Sequence, residues 1–587
     1  MNRSYLGKWV IVGVLIGLVA GFGSTIFYFM IQSVTDFMLG GITGFFPPNP
    51  AGEPAAPLSI NPRYYLIPIS TAIGGAIAGF IVYTFAPEAE GHGTDAAIDA
   101  YHNKSGVLRR RIPLVKMIAS AFTIGSGGSA GREGPTAQIA AGFGSLAGEF
   151  FRLSGRDRMI ALAAGIGAGI GSIFKSPFGG AILSAEILYS GPDFEAETLI
   201  PAFVASPIGY VIFASFTGFD PIFGYTVHYT FSHPLNLLIY ALLGFLCAGF
   251  GRLYTFTFYS TKKLFDQLNL TRYAKPIIGA SVAGVIGIFF PEVVGLGYGF
   301  IQFPIDGNLS KITTNYFALP LVATLGLLII LKVVATSFTV GSGGSGGVFA
   351  PSLVIGGYVG TFLWVVVNSL LPGLISTPAP LVVIGMMALF AGVGRVPIAV
   401  ILMVSEMTGS LALIAPAMVA VVISYYFTGL KFTIYRSQVP SRAESPAHRG
   451  EYYTPIMRGI KVSTALNPHV ETLRPEDSVE SAYRLMIDKN FRGVPVVSED
   501  GVVVGIVTMS DVLASEPDKM EETSLDSIMT KNVVTIGPED SLLLALNKMT
   551  TNGIGRLPVV TPGSGKLVGI ISRTDLFKAY AREAERA

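Results

Sequence analysis

Long stretches of the first part of the chain are apolar without interruption. Near 10–34, 64–85, 235–258 and 316–339 the runs reach the roughly 20 residues that a helix needs to cross a bilayer. Other apolar runs, at 159–173, 177–190, 380–394 and 397–408, are shorter and broken by Gly, Pro or a charge. A helix of about 14 residues reaches only about 21 Å against a hydrocarbon core of about 30 Å. Such pieces are predicted to stop inside the membrane. From Tyr452 onward the pattern changes, and charges recur every few residues between short helix-periodic and strand-like segments.

Composition agrees with this division. Of 587 residues 51% are hydrophobic and 13% charged, well below the roughly 25% charged that is usual in soluble proteins. A polytopic membrane domain over 1–450 and a water-soluble tail, divided at 451–518 and 519–587, are the expected organisation. The basic start at Arg3 and Lys8 precedes an apolar run too long for a signal-peptide core, so it is predicted to be a retained first helix. Clusters at Arg3 and Lys8, at Arg109 to Arg111, and at Arg436, Arg442 and Arg449 place both termini in the cytoplasm by the positive-inside bias, in the plasma or inner membrane. A net charge of +2, with no basic face interleaved with aromatics, gives no sign of nucleic-acid binding. The one cysteine, Cys247, lies in an apolar run and allows no intrachain disulfide.

The breaks repeat. GSGGSAGREGP at 125–135 returns as GSGGSGGVFAP at 341–351, and KSPFGGAILSAE at 175–186 returns as RVPIAVILMVSE at 395–406 with the same proline-to-glutamate spacing. Two matches in the same order and at nearly the same offset mark a duplicated membrane unit. Paired Gly/Pro-interrupted segments in two halves point to a transport site. Helix starts offer unpaired N–H groups and the positive end of the macrodipole, which suits an anion. Glycine permits close backbone approach, and proline fits the first turn of a new helix. An ionisable residue at this depth is costly, so Glu133 is read as functional. Its carboxylate would compete for the amides that attract an anion and leave when protonated, making a pH-dependent gate. An ion pair with Arg132 is the bland alternative.

GREGP at 131–135, GGVFAP at 346–351, PFGGAILSAE at 177–186, RVPIAVILMVSEMT at 395–408 and Tyr435 in FTIYRSQ together resemble the CLC family of chloride channels and chloride/proton antiporters, followed by a CBS-domain pair. The resemblance implies an all-α inverted-repeat membrane fold of roughly 18 helices, many broken or re-entrant, with an α+β CBS pair behind it. It implies a homodimer with a pore in each subunit, chloride as the transported ion and Glu133 as its gate, with no catalysed covalent reaction, no metal and no required cofactor. Anion contacts are expected from Gly131, Arg132, Gly134, Gly347, Val348, Phe349 and Ala350 and from the Tyr435 hydroxyl.

Two departures stand out. Where the family has a serine in a Gly-Ser-Gly-Ile-Pro turn, this chain reads GHGTD at 91–95, so His92, Gly93 and Thr94 are the candidates for the inner anion and Asp95 stands in place of proline. An imidazole can donate one N–H and an imidazolium two, so binding there is expected to strengthen in acid. Antiporters of the family also carry an acid directly after the position of Glu186. Here that position is Ile187. A passive channel is therefore expected over an exchanger, with Glu195 and Glu197, read as solvated loop acids, as possible substitutes in an atypical proton route. A CBS-regulated cation channel fits poorly, because such a pore needs oxygen ligands where this chain offers N–H groups.

The tail has its own shorter repeat. RPEDSVESAYRLM at 474–486 matches GPEDSLLLALNKM at 537–549, and GIVTMSD at 505–511 matches GIISRTD at 569–575. Each copy predicts a helix, two Val-rich strands and a second helix opened by Ser/Thr-x-x-Asp. Thr508, Asp511, Ser572 and Asp575 are candidates to hold an adenine nucleotide (ATP, ADP or AMP), with helix capping as their plain alternative role.

Overall fold

The computed structural model describes residues 3–224, 236–312, 319–448 and 457–584. Arg449, the boundary expected at 450–451 and the expected span starts at 235 and 316 lie outside these. The chain forms two compact units, Met1–Ala447 and His448–Ala587.

Among the described residues the first unit is built from helices joined by loops. In chain order its longer helices are α1 (Arg3–Val34), α2 (Ile67–Phe85), α3 (Thr94–Asn103), α4 (Ile112–Gly125), α5 (Glu133–Phe150), α6 (Gly155–Ile173), α7 (Pro177–Glu186) and α8 (Leu199–Thr217). There follow α9 (Asn236–Gln267), α10 (Ala274–Phe289), α11 (Tyr298–Ile305), α12 (Leu321–Gly341), α13 (Phe349–Leu370), α14 (Ala379–Gly394), α15 (Pro397–Met407) and α16 (Ile414–Thr428). The four long apolar runs became α1, α2, α9 and α12. Two further helices, α8 and α13, are also long and apolar enough to span. The first contains Pro207 and the second begins inside a glycine phrase, which hid both from a search for unbroken runs. The short pieces end where Gly, Pro or charge predicted, and α7 is only 10 residues long.

Small residues set the spacing. A Cβ at Gly144 of α5 would lie 2.3 Å from the Ala161 carbonyl of α6, and one at Gly360 of α13 would lie 2.0 Å from the Leu381 carbonyl of α14. These are matching positions of the two halves, so the same close backbone contact was built twice.

The Pro-to-Glu motif explains how the halves interlock. Both Glu186 oxygens accept amides at the start of α15, from Ile398 at 3.0 Å and Ala399 at 2.7 Å. In return Glu406 accepts the Phe178 and Gly179 amides at the start of α7, at 3.2 and 2.9 Å, together with the Ser176 hydroxyl. Each helix presents a terminal carboxylate to the other's positive N-terminus. Two equivalent helices that meet end to start in both directions run antiparallel, so the halves are inverted.

In the second unit, α17 (Val479–Asp488) precedes β1 (Gly493–Val497), β2 (Val503–Thr508) and α18 (Met509–Leu513), and α19 (Leu542–Thr551) precedes β3 (Arg556–Val560), β4 (Leu567–Ser572) and α20 (Arg573–Ala584). Ser478 and Ser541, the serines of the two Pro-Glu-Asp-Ser segments, cap α17 and α19 through their hydroxyls. Each strand pair is an antiparallel hairpin, Gly493 opposite Thr508 and Arg556 opposite Ser572. Alternate residues Val494 and Val496, and Leu557 and Val559, point into the cores.

Candidate functional site

The two glycine phrases cross at their equivalent glycines. The Gly131 amide donates to the Gly347 carbonyl at 2.7 Å, and the Gly347 amide returns the bond at 2.6 Å. Flanking hydroxyl pairs are reciprocal too: Ser120 with Ser345 and Ser129 with Thr336, each at 2.9 Å. The crossing therefore lies on the pseudo-twofold axis. It also corrects one expectation, because the amides of Gly131 and Gly347 are committed to each other and are not offered to an anion. The donors that remain belong to the first turns just beyond, at Glu133 and Gly134 of α5 and at Phe349 and Ala350 of α13, whose N–H groups have no carbonyl partner in their own helix. Pro135 and Pro351 occupy the next position in each.

Between these helix starts lies the Glu133 carboxylate, which is fully buried. Oε1 accepts the Tyr298 hydroxyl at 2.6 Å. The carboxylate also faces the Ala350 amide and its own amide, and Oε2 completes no well-formed hydrogen bond. A Cβ at Gly131 would sit 2.5 Å from that oxygen, so the bare glycine makes the room. Gly134 is bare for a similar reason, since its Cβ would be 2.3 Å from the His92 carbonyl. Arg132 does not pair with Glu133. Its guanidinium is buried against Glu53 and lies over the rings of Tyr28 and Tyr298 at 5.2 and 5.9 Å, flanking Glu133 closely enough to act on its charge.

The other side of the crossing is aromatic. Phe349 packs on Phe390 at 3.7 Å and on Phe174 at 4.7 Å between ring centroids, and Val348 caps α13. Tyr435 is fully buried and its hydroxyl meets that of Thr94, the first residue of α3. The His92 ring lies 5.5 Å from the Tyr435 ring, with Nε2 at 3.2 Å from Asp95 and Nδ1 buried without a hydrogen-bond partner. Gly93, at φ +83°, makes the turn that starts α3. Asp95 now has a reason to replace proline: its carboxylate also accepts the amides of Arg436 at 3.3 Å and Ser437 at 3.0 Å, tying the Tyr435 segment to the His92 turn. A cavity of about 240 Å³, lined in part by His92, Gly93, Asp95, Phe258 and Lys262, opens beside this cluster.

Tyr298 escaped the sequence reading, although a signal was present. PEVVGLGY at 291–298 repeats PEAEGHGT at 87–94, so Tyr298 starts α11 as Thr94 starts α3. Both turns are held by buried lysines at matching places before the glycine phrases. Lys116 donates to the carbonyls of Ala89 at 3.0 Å and Gly91 at 2.6 Å, and Lys332 to those of Val293 at 2.9 Å and Gly295 at 3.0 Å.

Ile187 is fully buried and follows the capping Glu186. Glu197 pairs with Arg156 near the surface. Glu195, however, is not a solvated loop acid. It is 1% exposed, accepts the Tyr189 hydroxyl at 2.7 Å and lies 3.5 Å from Arg442, because the segment after α7 folds back under it. Cys247 is buried against the Gly385 carbonyl.

In the second unit Thr508 with Asp511, and Ser572 with Asp575, form the helix-capping arrangement. The aspartate Oδ2 accepts the backbone amide and the hydroxyl of its partner, at 2.8 and 2.7 Å in the first copy and 3.0 and 2.6 Å in the second. Ser572 and Asp575 also line a cavity of about 180 Å³ with Arg556 and Asn467. A guanidinium, a carboxylate and a hydroxyl on one wall suit a phosphate and a ribose.

A family model described as voltage gated chloride channel matches residues 74–429, and one described as CBS domain matches 462–517 and 525–582. An uncharacterised protein of Methanocaldococcus jannaschii is 31% identical over 431 residues, 73% of this chain and 95% of that protein. The H(+)/Cl(-) exchange transporter ClcA of Vibrio parahaemolyticus is 28% identical over 420 residues, 70% of this chain and 84% of its own length. Among solved structures, a slow cyanobacterial Cl-/H+ antiporter superposes with a TM-score of 0.60 at 22% identity, covering 74% of this chain and 97% of that one. The chain is an integral membrane protein that belongs to the voltage-gated chloride channel (CLC) family and carries a C-terminal CBS pair.

Proposed function

We propose that this member of a chloride-transporting family exchanges chloride for protons, with Glu133 as both gate and proton carrier. The observation that carries the reading is the placement of the Glu133 carboxylate between the starts of α5 and α13, where it fills the position that backbone donors prepare for an anion. When charged it competes with chloride; when protonated it loses its hold on the amides and the anion takes its place. One side chain then alternates between binding a proton and yielding to an anion. The name of the curated Vibrio relative supports exchange over passive conduction.

Ile187 favours the second reading, a channel, because a buried isoleucine carries no proton. The buried Glu195, joined to Tyr189 and Arg442, offers the exchanger an acid a few residues further along. His92, Gly93 and Thr94, with the Tyr435 hydroxyl, form the inner contact for the anion, and Phe349 and Ala350 supply its central amides. The protein acts as a homodimer in the plasma or inner membrane with both termini cytoplasmic. Ser572 and Asp575 bind the ribose and phosphate of an adenine nucleotide, with Thr508 and Asp511 the corresponding pair in the other copy.

Purified protein in liposomes tests the reading. A chloride gradient is expected to drive protons uphill in the wild type and not in Glu133→Gln. Chloride flux with no proton movement in the wild type would establish the channel instead. ATP is expected to raise the melting temperature of the wild type and not of Ser572→Ala/Asp575→Asn, since a ligand that binds only the folded form must stabilise it.

A further inference from the structure

The Pro-rich loop at 45–57 is packed onto the gate from the side opposite the His92 cavity. The Ala51 amide donates to Gln302 of α11 at 3.2 Å, and the Gly52 amide to the Ile222 carbonyl at 2.8 Å. The Gly52 carbonyl accepts Lys175 at 2.9 Å. A Cβ at Gly299, one residue after Tyr298, would lie 1.9 Å from the Pro48 carbonyl. This seating delivers Glu53 to the Arg132 guanidinium, with side chains 5% and 2% exposed. The Tyr28 hydroxyl donates to Glu53 at 3.2 Å and itself accepts Gln32 at 2.7 Å. A cavity of about 300 Å³, bounded by Tyr28, Glu53, Arg132 and Tyr298, lies there.

We infer that Glu53 tunes the gate through Arg132: its carboxylate neutralises the guanidinium that flanks Glu133, and so sets how readily external protons open the path. This rests on the gate reading above and on the orientation proposed there, which makes the loop's face external. The groups facing Glu53 are Tyr28 from α1, Arg132 before α5 and Lys175 between α6 and α7; Tyr298 of α11 reaches it through Arg132. Removing one member of a buried pair leaves the other uncompensated. With Glu53 neutral, the bare guanidinium favours the charged form of Glu133, so more acid is needed to release it. Glu53 is a positioning residue, since it touches neither the anion nor the gate.

The test is chloride flux through the full-length protein in liposomes as a function of external pH. In Glu53→Gln the half-maximal point is expected to move about one pH unit toward acid. Glu53→Asp, which keeps the charge on a shorter arm, is expected to move it less in the same direction, and it decides the matter should Glu53→Gln not fold. Neither change should alter the pH dependence of flux in a Glu133→Gln background. A loop that was merely a strap would lower flux without moving the midpoint. A pH-dependent wild type whose midpoint stays put in both Glu53 variants overturns this inference alone. A wild type with no pH dependence overturns the gate reading, and this inference with it.

Discussion

The two halves of the membrane unit share a skeleton and differ in what they hang on it. Each has a glycine turn held by a buried lysine, a glycine phrase, a proline in the first turn after it, and a carboxylate that caps the other half's short helix. At the matching positions of the crossing, however, the first half carries Arg132 and Glu133 where the second carries Val348 and Phe349. The first half's turn presents His92 and Thr94 to Tyr435, while the second half's, with Leu296 in place of the histidine, presents Tyr298 to Glu133. Duplication supplies two converging sets of amides. Divergence puts an acid on one side of them and aromatic rings on the other. One repeated plan thereby carries an acidic face and an aromatic face.

The contrast breaks most completely at Glu133. Glu133→Gln is expected to reduce coupled proton movement to background while chloride still flows, read as pH change in weakly buffered vesicles. Converting Phe349 to Ala removes aromatic packing only, and is expected to leave the coupling intact and to lower the melting temperature, by about 3–5 kcal/mol of stability.

The shared skeleton makes a prediction of symmetry. Glu186→Ala and Glu406→Ala each strip a helix start of its carboxylate partner and leave its first-turn amides unpaired. Each is expected to cost about 1–3 kcal/mol, measured by thermal unfolding in detergent, and the two losses should be similar. A large loss at one site and none at the other would deny that the caps are equivalent.

A subtler separation concerns the two hydroxyls. Tyr298→Phe removes the bond to Glu133 and is expected to shift the pH dependence of flux while changing chloride affinity little. Tyr435→Phe should do the reverse, weakening chloride severalfold by loss of about 1 kcal/mol of hydrogen bonding. The smallest expected effect belongs to His92. His92→Ala, which removes the imidazole donor, is expected to weaken chloride modestly at a fixed pH. An unchanged affinity would remove the histidine from the anion's contacts.

The site was legible in the sequence where chemistry is local. The glycine phrases, the prolines after them, the Pro-to-Glu spacing and the Ser478 and Ser541 caps each depend on residues within a few positions of one another, and each forms the element that spacing implies. What escaped depends on partners far apart in the chain. Tyr298 meets Glu133 across 165 positions, and its glycine turn, with leucine in place of histidine, reads as one more apolar loop. Glu53 sits in a Pro-rich linker with no pattern to mark it, and it becomes a buried counter-ion only because the loop folds onto α11. The burial of Glu195 follows from the path of the segment after α7, which composition does not encode.

The central claim is that helix-start amides from both halves form the anion cradle and that Glu133 occupies it. Anomalous diffraction from crystals soaked in bromide, comparing the wild type with Glu133→Ala, tests this most directly. The account predicts a bromide peak in Glu133→Ala within hydrogen-bond reach of the Phe349 and Ala350 amides, in the space the carboxylate vacated, and its absence there in the wild type. A vacated space filled only by side chains, or bromide found only away from those amides, would contradict it.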